Sequence, residues 1–244
     1  MNQHMLTVAD NRAVAPGVYR MELEGRGIEA QKPGQFINLR IPGMFLRRPI
    51  SVHDQEGDRI AIIYKTVGKG TERLAAAKPG ETLDALTGLG NGYDPGKAGD
   101  RPLLIGGGAG VPPLYLLARR LREAGKDVTA VLGFNMAEEI FAEEAFRDLG
   151  CRVTVATADG SAGVRGFVTE AMPEEYSYFY ACGPEGMLRA VYRAAKTSGQ
   201  FSFEERMGCG FGACMGCSCR TAGGPKRICR EGPVLEKEEI LWDD

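Results

Sequence analysis

The sequence predicts a β + α/β chain: an antiparallel β-rich front, a parallel-sheet α/β domain behind it, and a small cysteine-loop module at the C-terminal end. Three observations predict it. Short alternating apolar runs separated by Pro-Gly and Gly-Asp turns fill the front of the chain. From Arg101 onward, strand-like runs alternate with helix-like ones. Five of the seven cysteines fall between Cys209 and Cys229.

In the front part, residues 18–23 read Val-Tyr-Arg-Met-Glu-Leu, residues 36–41 read Phe-Ile-Asn-Leu-Arg-Ile, and residues 59–67 are rich in Ile and Val around Tyr64. Period-two alternation lines one face of a pleated strand with apolar side chains. Ala15-Pro16-Gly17, Lys32-Pro33-Gly34, Glu56-Gly57-Asp58 and Lys78-Pro79-Gly80 supply the turns between such runs. Short strands with this punctuation make a small antiparallel barrel or sandwich. Asn91-Gly92 through Pro95-Gly96 to Gly99-Asp100 reads as a linker, so the first domain is expected over residues 1–97.

Residues 102–105 then form an apolar run ending in Gly106-Gly107-Gly108-Ala109-Gly110, and Leu114, Leu117, Ala118 and Leu121 follow at helical spacing. Residues 128–134, 152–158 and 177–181 read as strands, and residues 140–149 as a helix stopped by Gly150. Another helix is expected from Pro184, a good first-turn residue, through Leu188, Val191 and Ala195. Strands alternating with helices imply βαβ units and a parallel sheet over residues 98–200. Residues 201–244 are left for the cysteine-rich module.

Composition narrows the function classes. A chain of 244 residues suits two domains, and 43% hydrophobic with 25% charged residues is the balance of a globular protein. Thirty Lys and Arg against 32 Asp and Glu leave a net charge of −2, with no basic excess for nucleic acid or anionic membrane. No apolar run approaches the roughly 20 residues a membrane helix needs. Residues 1–10 lack a basic head followed by an apolar stretch, so a cytoplasmic location is expected. With only His4 and His53 available, a site needing several His ligands is not expected; His4 reads as solvated.

Cys209-x4-Cys214-x2-Cys217, followed after eleven residues by Cys229, is the plant-type spacing for a [2Fe–2S] cluster. Three thiolates converge from one tight loop and the fourth returns from a later segment. Gly208, Gly210, Gly212 and Gly216 let that loop bend and bring backbone N–H groups to the sulfurs. Cys219 is the surplus thiol, with exchange for Cys217 left open. Structural zinc also takes four Cys, but its second short knuckle is absent here. Cys151 reads as a core residue at a strand start.

Residues 106–110 lie where a strand meets a helix, either a place for exposed N–H groups suited to a pyrophosphate or only a structural turn. The fit to G-x-G-x-x-G is partial, since Val111 holds the third glycine position. Ala181-Cys182-Gly183-Pro184, at a later strand end, would join it along one sheet edge. There Cys182 is either a buried thiol or a wall of a nicotinamide pocket. In Arg47-Arg48-Pro49-Ile50-Ser51, Pro49 removes a ladder donor and predicts an edge or a bulge. Arg48 is suited to a phosphate and Ser51 to a flavin ring nitrogen, or Arg48 is only a surface arginine beside an edge strand. Lys69-Gly70-Thr71 offers an N–H and a hydroxyl, or only a turn. Trp242 packs either on its own chain or on a partner.

The order Arg-Pro-Ile-Ser, Gly-Thr, Gly-Gly-Gly-Ala-Gly-Val-Pro-Pro, Cys-Gly-Pro and then the cysteine loop resembles the ferredoxin–NADP⁺ reductase superfamily. More narrowly, it is similar to the electron-transfer subunits of NAD-dependent dihydroorotate dehydrogenases of type B, over essentially the whole chain. The most specific part is the loop from Glu205 to Cys219.

The resemblance implies an antiparallel FAD-binding β-barrel, a parallel-sheet nucleotide-binding domain and a C-terminal [2Fe–2S] module. Arg48, Pro49, Ile50 and Ser51 would hold FAD together with Ile63, Tyr64, Lys65, Gly70 and Thr71. Gly107, Gly108, Ala109 and Gly110 with Cys182, Gly183 and Pro184 would receive NAD, and Cys209, Cys214, Cys217 and Cys229 would ligate the cluster. It also implies an FMN-containing catalytic partner in a two-plus-two heterotetramer, a place in pyrimidine (UMP) biosynthesis, and electrons passing from FMN through the cluster and FAD to NAD⁺. No side-chain acid, base or nucleophile is then required. NAD over NADP is supported by Glu138 and Glu139 at the second βα junction, which would repel a 2′-phosphate. The competing readings are a subunit of another complex, such as a hydrogenase or an NADPH:ferredoxin oxidoreductase, and a zinc-binding redox sensor.

Overall fold

A computed structural model describes residues 1–242. Six antiparallel strands close a barrel: β1 (Asn2–Ala15), β2 (Val18–Glu24), β3 (Phe36–Arg40), β4 (Arg48–Glu56), β5 (Arg59–Lys65) and β6 (Thr82–Leu89). A short helix, α1 (Lys69–Ala75), bridges β5 and β6, and the strand order around the barrel is β1-β2-β5-β4-β3-β6. Alternate side chains point inward, and Leu6, Val8, Met21, Leu23, Ile37, Leu39, Ile60 and Ile62 fill the interior.

Two of these strands carry a weak apolar signal. In β1 only Leu6 and Val8 are fully buried, because the rest of the long strand runs along the barrel surface. In β6 the inward positions include Ala85 and Thr87, small or polar residues; the Thr87 hydroxyl donates to Glu29 at 2.6 Å. His4 is not solvated: its ring lies 3.2 Å from the Glu29 carboxylate, because β1 and the loop after β2 meet at the barrel rim.

The second half is a seven-stranded sheet. Its elements are β7 (Leu103–Gly107), α2 (Pro112–Glu123), β8 (Thr129–Phe134), α3 (Glu143–Asp148), β9 (Arg152–Thr157), β10 (Val164–Arg165), β11 (Phe179–Cys182), α4 (Glu185–Ala194) and β12 (Gly199–Ser202). A hairpin, β13 (Ser218–Thr221) and β14 (Gly224–Arg227), comes next, and β15 (Val234–Glu236) returns to the sheet. The sheet order is β10-β9-β8-β7-β11-β12-β15, parallel except for the antiparallel β15. Helix α3 is shorter than the expected 140–149. Ile140 is extended and Ala142 is left-handed (φ 62°), so the helix starts only at Glu143.

The two halves share their cores. Leu114, Leu117, Ala118 and Leu121 pack under the sheet, whereas Leu116, on another side of α2, enters the barrel core. Full burial of one such leucine contributes about 1.5–3 kcal/mol. Arg119 of α2 adds an ion pair to Asp54 at 2.9 Å and a bond to the Gln55 carbonyl at 2.6 Å. On the other side of the sheet, Phe36 and Leu89 of the barrel share one apolar cluster with Leu103, Phe201, Cys217, Ile228 and Cys229. The cysteine module is therefore wedged between sheet and barrel. Trp242 packs on its own chain, with Phe203 at 5.7 Å, Tyr192 at 6.2 Å and the Arg189 guanidinium over its ring at 4.7 Å.

Candidate functional site

Strand β4 changes neighbours along its length. Arg48 to Ser51 pair with β3, while pairing to β5 begins only at Val52 and contains a register shift before Asp54. The first half of β4 is thus an open edge inside a closed barrel, which is where a proline without an N–H fits. Pro49 lies opposite Asn38 and Ser51 opposite Phe36; residues directly opposed across a pair share a face. Arg48, Pro49, Ile50 and Ser51 are all half-buried. The Arg48 guanidinium donates to the Leu46 carbonyl at 2.7 Å and crosses Gly70, where a Cβ would meet its Nε at 2.4 Å.

The other residues expected around this strand fall on two faces. Ile63 packs in the core shared with the sheet domain. Tyr64 turns into the barrel, where its hydroxyl donates to Asn11 at 3.0 Å and burial raises its pKa. Lys65 is exposed and reaches Glu139 at 3.8 Å. Of the tyrosine, only the main chain is available to a ligand on the outer face. Gly70 and Thr71 sit in α1 rather than in a simple turn; the Thr71 hydroxyl donates to the Gly68 carbonyl and accepts from the Val67 N–H.

At the sheet, β7 ends at Gly107, a 3₁₀ turn spans Gly108–Gly110, and α2 starts at Pro112. Its neighbour β11 ends at Cys182, paired with Gly106. The loops after these strands touch: a Cβ on Gly110 would lie 2.2 Å from the Cys182 carbonyl oxygen. Met187 of α4 covers both Gly107 and Gly183, and Pro184 immediately precedes that helix. Burial pushes the Cys182 thiol up to about 12, with Ser202 and Tyr93 beside it. Cys151 is buried at the start of β9, its thiol raised to about 11 for the same reason.

The four cysteines predicted as ligands stand as two hydrogen-bonded pairs. The Cys209 sulfur accepts from Ala213 N–H at 3.2 Å and Cys214 N–H at 3.4 Å, and the Cys209 N–H reaches the Cys214 sulfur at 3.5 Å. Separately, the Cys229 N–H reaches the Cys217 sulfur at 3.4 Å. Burial works against the Cys209 thiolate, but the N–H groups aimed at it prevail and bring its pKa down to about 6. Burial and the adjacent Cys217 push Cys229 up to about 12. The hairpin β13–β14 returns the chain so that the Ile228 N–H bonds the Cys217 carbonyl at 3.1 Å. Arg227, ion-paired to Glu231, clamps the loop through the Gly212 carbonyl at 2.6 Å. Cys219 lies on β13 opposite Lys226; it packs against the apolar cluster that holds Cys217 and Cys229 but takes no part in the hydrogen bonds of either pair.

This donor set fits an iron–sulfur group. Soft thiolates with N–H groups directed at sulfur are what such a cluster needs, and two pairs suit two irons taking two sulfurs each. Among the described residues, no three Cys, His, Asp or Glu side chains are grouped to hold a single ion.

The burial of Asn38, and of His53 flanking the Ser51 segment, was not legible in the sequence. Asn38 alternates with Ile37 and Leu39 like any outward strand residue, yet it is 1% exposed because the cysteine loop covers it. Its Nδ2 donates to the Cys209 carbonyl at 3.2 Å. His53, also buried, joins β4 to the start of α2. Neither position carried a local sequence signal, since the covering segments are distant in the chain.

Comparison with known proteins agrees with this layout. Residues 204–241 match the family described as the iron-sulfur cluster binding domain of dihydroorotate dehydrogenase B, and residues 104–193 match the oxidoreductase NAD-binding domain. A Geobacillus sp. (strain WCH70) protein named dihydroorotate dehydrogenase B (NAD(+)), electron transfer subunit, is 41% identical over 99% of both chains. The Bacillus caldolyticus protein of the same name is 43% identical over 99% of both. Among solved structures, an NADH-dependent reduced ferredoxin-NADP oxidoreductase superposes with a TM-score of 0.88 at 30% identity, covering 97% of this chain and 90% of that one. A phthalate dioxygenase reductase shares the fold, with a TM-score of 0.64 at 17% identity over 82% of this chain and 69% of its own. The chain belongs to the family of dihydroorotate dehydrogenase B electron transfer subunits.

Proposed function

We propose that this chain is the electron-transfer subunit of an NAD-dependent dihydroorotate dehydrogenase, serving pyrimidine biosynthesis. It takes electrons from an FMN-bearing catalytic subunit and delivers them to NAD⁺ by way of a bound [2Fe–2S] cluster and FAD. A flavin exchanges electron pairs with a nicotinamide and single electrons with a cluster, so it belongs between the two. The observation that carries the reading is the contact of the cysteine loop with the barrel: Asn38 of β3 holds the Cys209 carbonyl at 3.2 Å, and Phe36 packs with Cys217 and Cys229.

In this reading Cys209, Cys214, Cys217 and Cys229 ligate the cluster. Arg48, Pro49, Ile50 and Ser51 receive FAD at the open edge of β4, Gly70 gives Arg48 room toward the phosphates, and the strand Ile63–Lys65 with Thr71 frames the site. Gly107 to Gly110 and Cys182 to Pro184 take the pyrophosphate and nicotinamide of NAD at the ends of parallel strands. Residues 1–97, 98–200 and 201–244 are the three corresponding units. Glu138 and Glu139 at the second βα junction disfavour an added 2′-phosphate, although Lys65 lies 3.8 Å from Glu139 and offsets part of its charge. No residue of this chain needs to act as acid or base; its task is to hold and insulate the redox groups. Phe211 (42% exposed) and Met215 (54% exposed) on the cysteine loop give the catalytic subunit an apolar surface beside the cluster. A two-plus-two assembly is the expected stoichiometry. No helix of the described residues is long and apolar enough to cross a membrane.

The test is coexpression with an FMN barrel subunit, followed by an assay of dihydroorotate-dependent NAD⁺ reduction. The pair should be active, and this chain alone should not oxidise dihydroorotate. Copurification with nickel–iron subunits, or a colourless zinc protein, would overturn the reading.

A further inference from the structure

Asn38 satisfies only part of its hydrogen-bonding capacity, although it is 1% exposed. Its Nδ2 donates to the Cys209 carbonyl at 3.2 Å. Gly210, at φ +79°, is pressed so close that a Cβ there would lie 2.3 Å from that nitrogen. The carbonyl decides which way the amide faces, because the reversed amide would set oxygen against oxygen. The Asn38 Oδ1 is left buried with no partner. An unsatisfied buried acceptor is destabilising, and an apolar side chain of similar shape would avoid the penalty. Folding alone therefore does not explain an asparagine here.

The position of the retained bond supplies the reason. Asn38 lies opposite Pro49 on the pair of strands that carries the proposed flavin edge. The peptide it holds belongs to Cys209, whose sulfur receives the Ala213 and Cys214 N–H groups at 3.2 and 3.4 Å. Moving that peptide moves the sulfur relative to these donors, and N–H bonds to sulfur tune the potential of an iron–sulfur group.

We propose that Asn38 is a positioning residue for the first cluster ligand: it anchors the Cys209 peptide to the barrel, fixes the N–H···S contacts on the Cys209 sulfur, and so sets the reduction potential of the cluster. This deepens the electron-transfer reading above and rests on it.

The test uses the full chain assembled with its catalytic subunit, as wild type and with Asn38→Leu and Asn38→Ser. Iron, sulfide and flavin content, thermal midpoint, the electron paramagnetic resonance spectrum of the reduced cluster and its midpoint potential are measured. Both variants should keep full iron, sulfide and flavin content but show altered g-values. Their potentials should fall, because loosened N–H···S contacts stabilise the added electron less. The expected shift is about tenfold in the reduction equilibrium, ~59 mV for one electron. Asn38→Leu should melt no lower than wild type, which a merely structural asparagine would not allow. Either variant with full cofactor content and an unchanged spectrum and potential overturns the inference. A wild-type protein holding neither flavin nor sulfide would instead defeat the functional reading beneath it.

Discussion

The Nδ1–H of His53 donates to the main-chain carbonyl of Pro112 at 3.1 Å, and the imidazole stacks on Tyr115 with ring centroids 4.5 Å apart. One residue follows the Arg48–Ser51 segment of β4 and the other opens the helix after the glycine loop. The contact joins the barrel to the sheet domain through a buried ring. Burial, with the Arg20 and Arg119 charges nearby, holds the His53 pKa down to about 4, even though the Pro112 bond favours the cation.

That depression sets an acid limit on stability. Between about pH 6.5 and 4 the unfolded chain binds a proton at this residue that the folded chain refuses, so acid favours unfolding in that window. The full contribution is about 3 kcal/mol, taking 1.36 kcal/mol per pKa unit. Wild type should exceed His53→Gln in stability at pH 7, and the difference should shrink steadily toward pH 4. Urea unfolding of both proteins across this range measures it; a gap independent of pH would refute the buried neutral histidine.

The cysteine assignments separate by mutation. Cys214→Ala should remove the visible cluster absorbance and acid-labile sulfide while leaving FAD bound, because the barrel edge does not use that thiol. Cys219→Ser should keep the cluster, since Cys219 stands outside both sulfur pairs. Loss of the cluster in Cys219→Ser would reassign the third ligand.

Arg48→Ala should weaken FAD binding about tenfold or more, the scale of one charge-assisted hydrogen bond at roughly 1.5–3 kcal/mol. Gly70→Ala should act in the same direction, because the new Cβ would displace the Arg48 guanidinium. Flavin fluorescence titration reads both. Unchanged affinity in Arg48→Ala would remove this arginine from the site.

Gly110→Ala should force the glycine loop away from the Cys182 carbonyl, a backbone atom with little freedom to yield. The expected effects are a loss of about 1–3 kcal/mol in stability, typical of overpacking, and slower flavin reduction by NADH. Thermal melting and stopped-flow absorbance test them, with Gly108→Ala as the comparison because its Cβ would meet nothing within 4 Å. Gly108 has positive φ, so its alanine variant reports backbone strain without the clash.

Features whose information is local could be read from the residues alone. The spacing of Cys209, Cys214, Cys217 and Cys229 specifies a ligand set within one loop and one return, and β-periodicity against helical spacing separates barrel from sheet. Pro49 predicts an edge or a bulge because a missing N–H is a covalent fact. Strands β1 and β6 were not legible, since β1 buries only Leu6 and Val8 while the inward positions of β6 include Ala85 and Thr87, and the stability of both comes from neighbours far along the chain. The burial of Asn38 under the cysteine loop, the inward face of Tyr64 and the meeting of His53 with Pro112 emerge from the folded chain. Burial and long-range hydrogen bonding depend on which distant segments meet, and no local pattern of residues encodes that meeting.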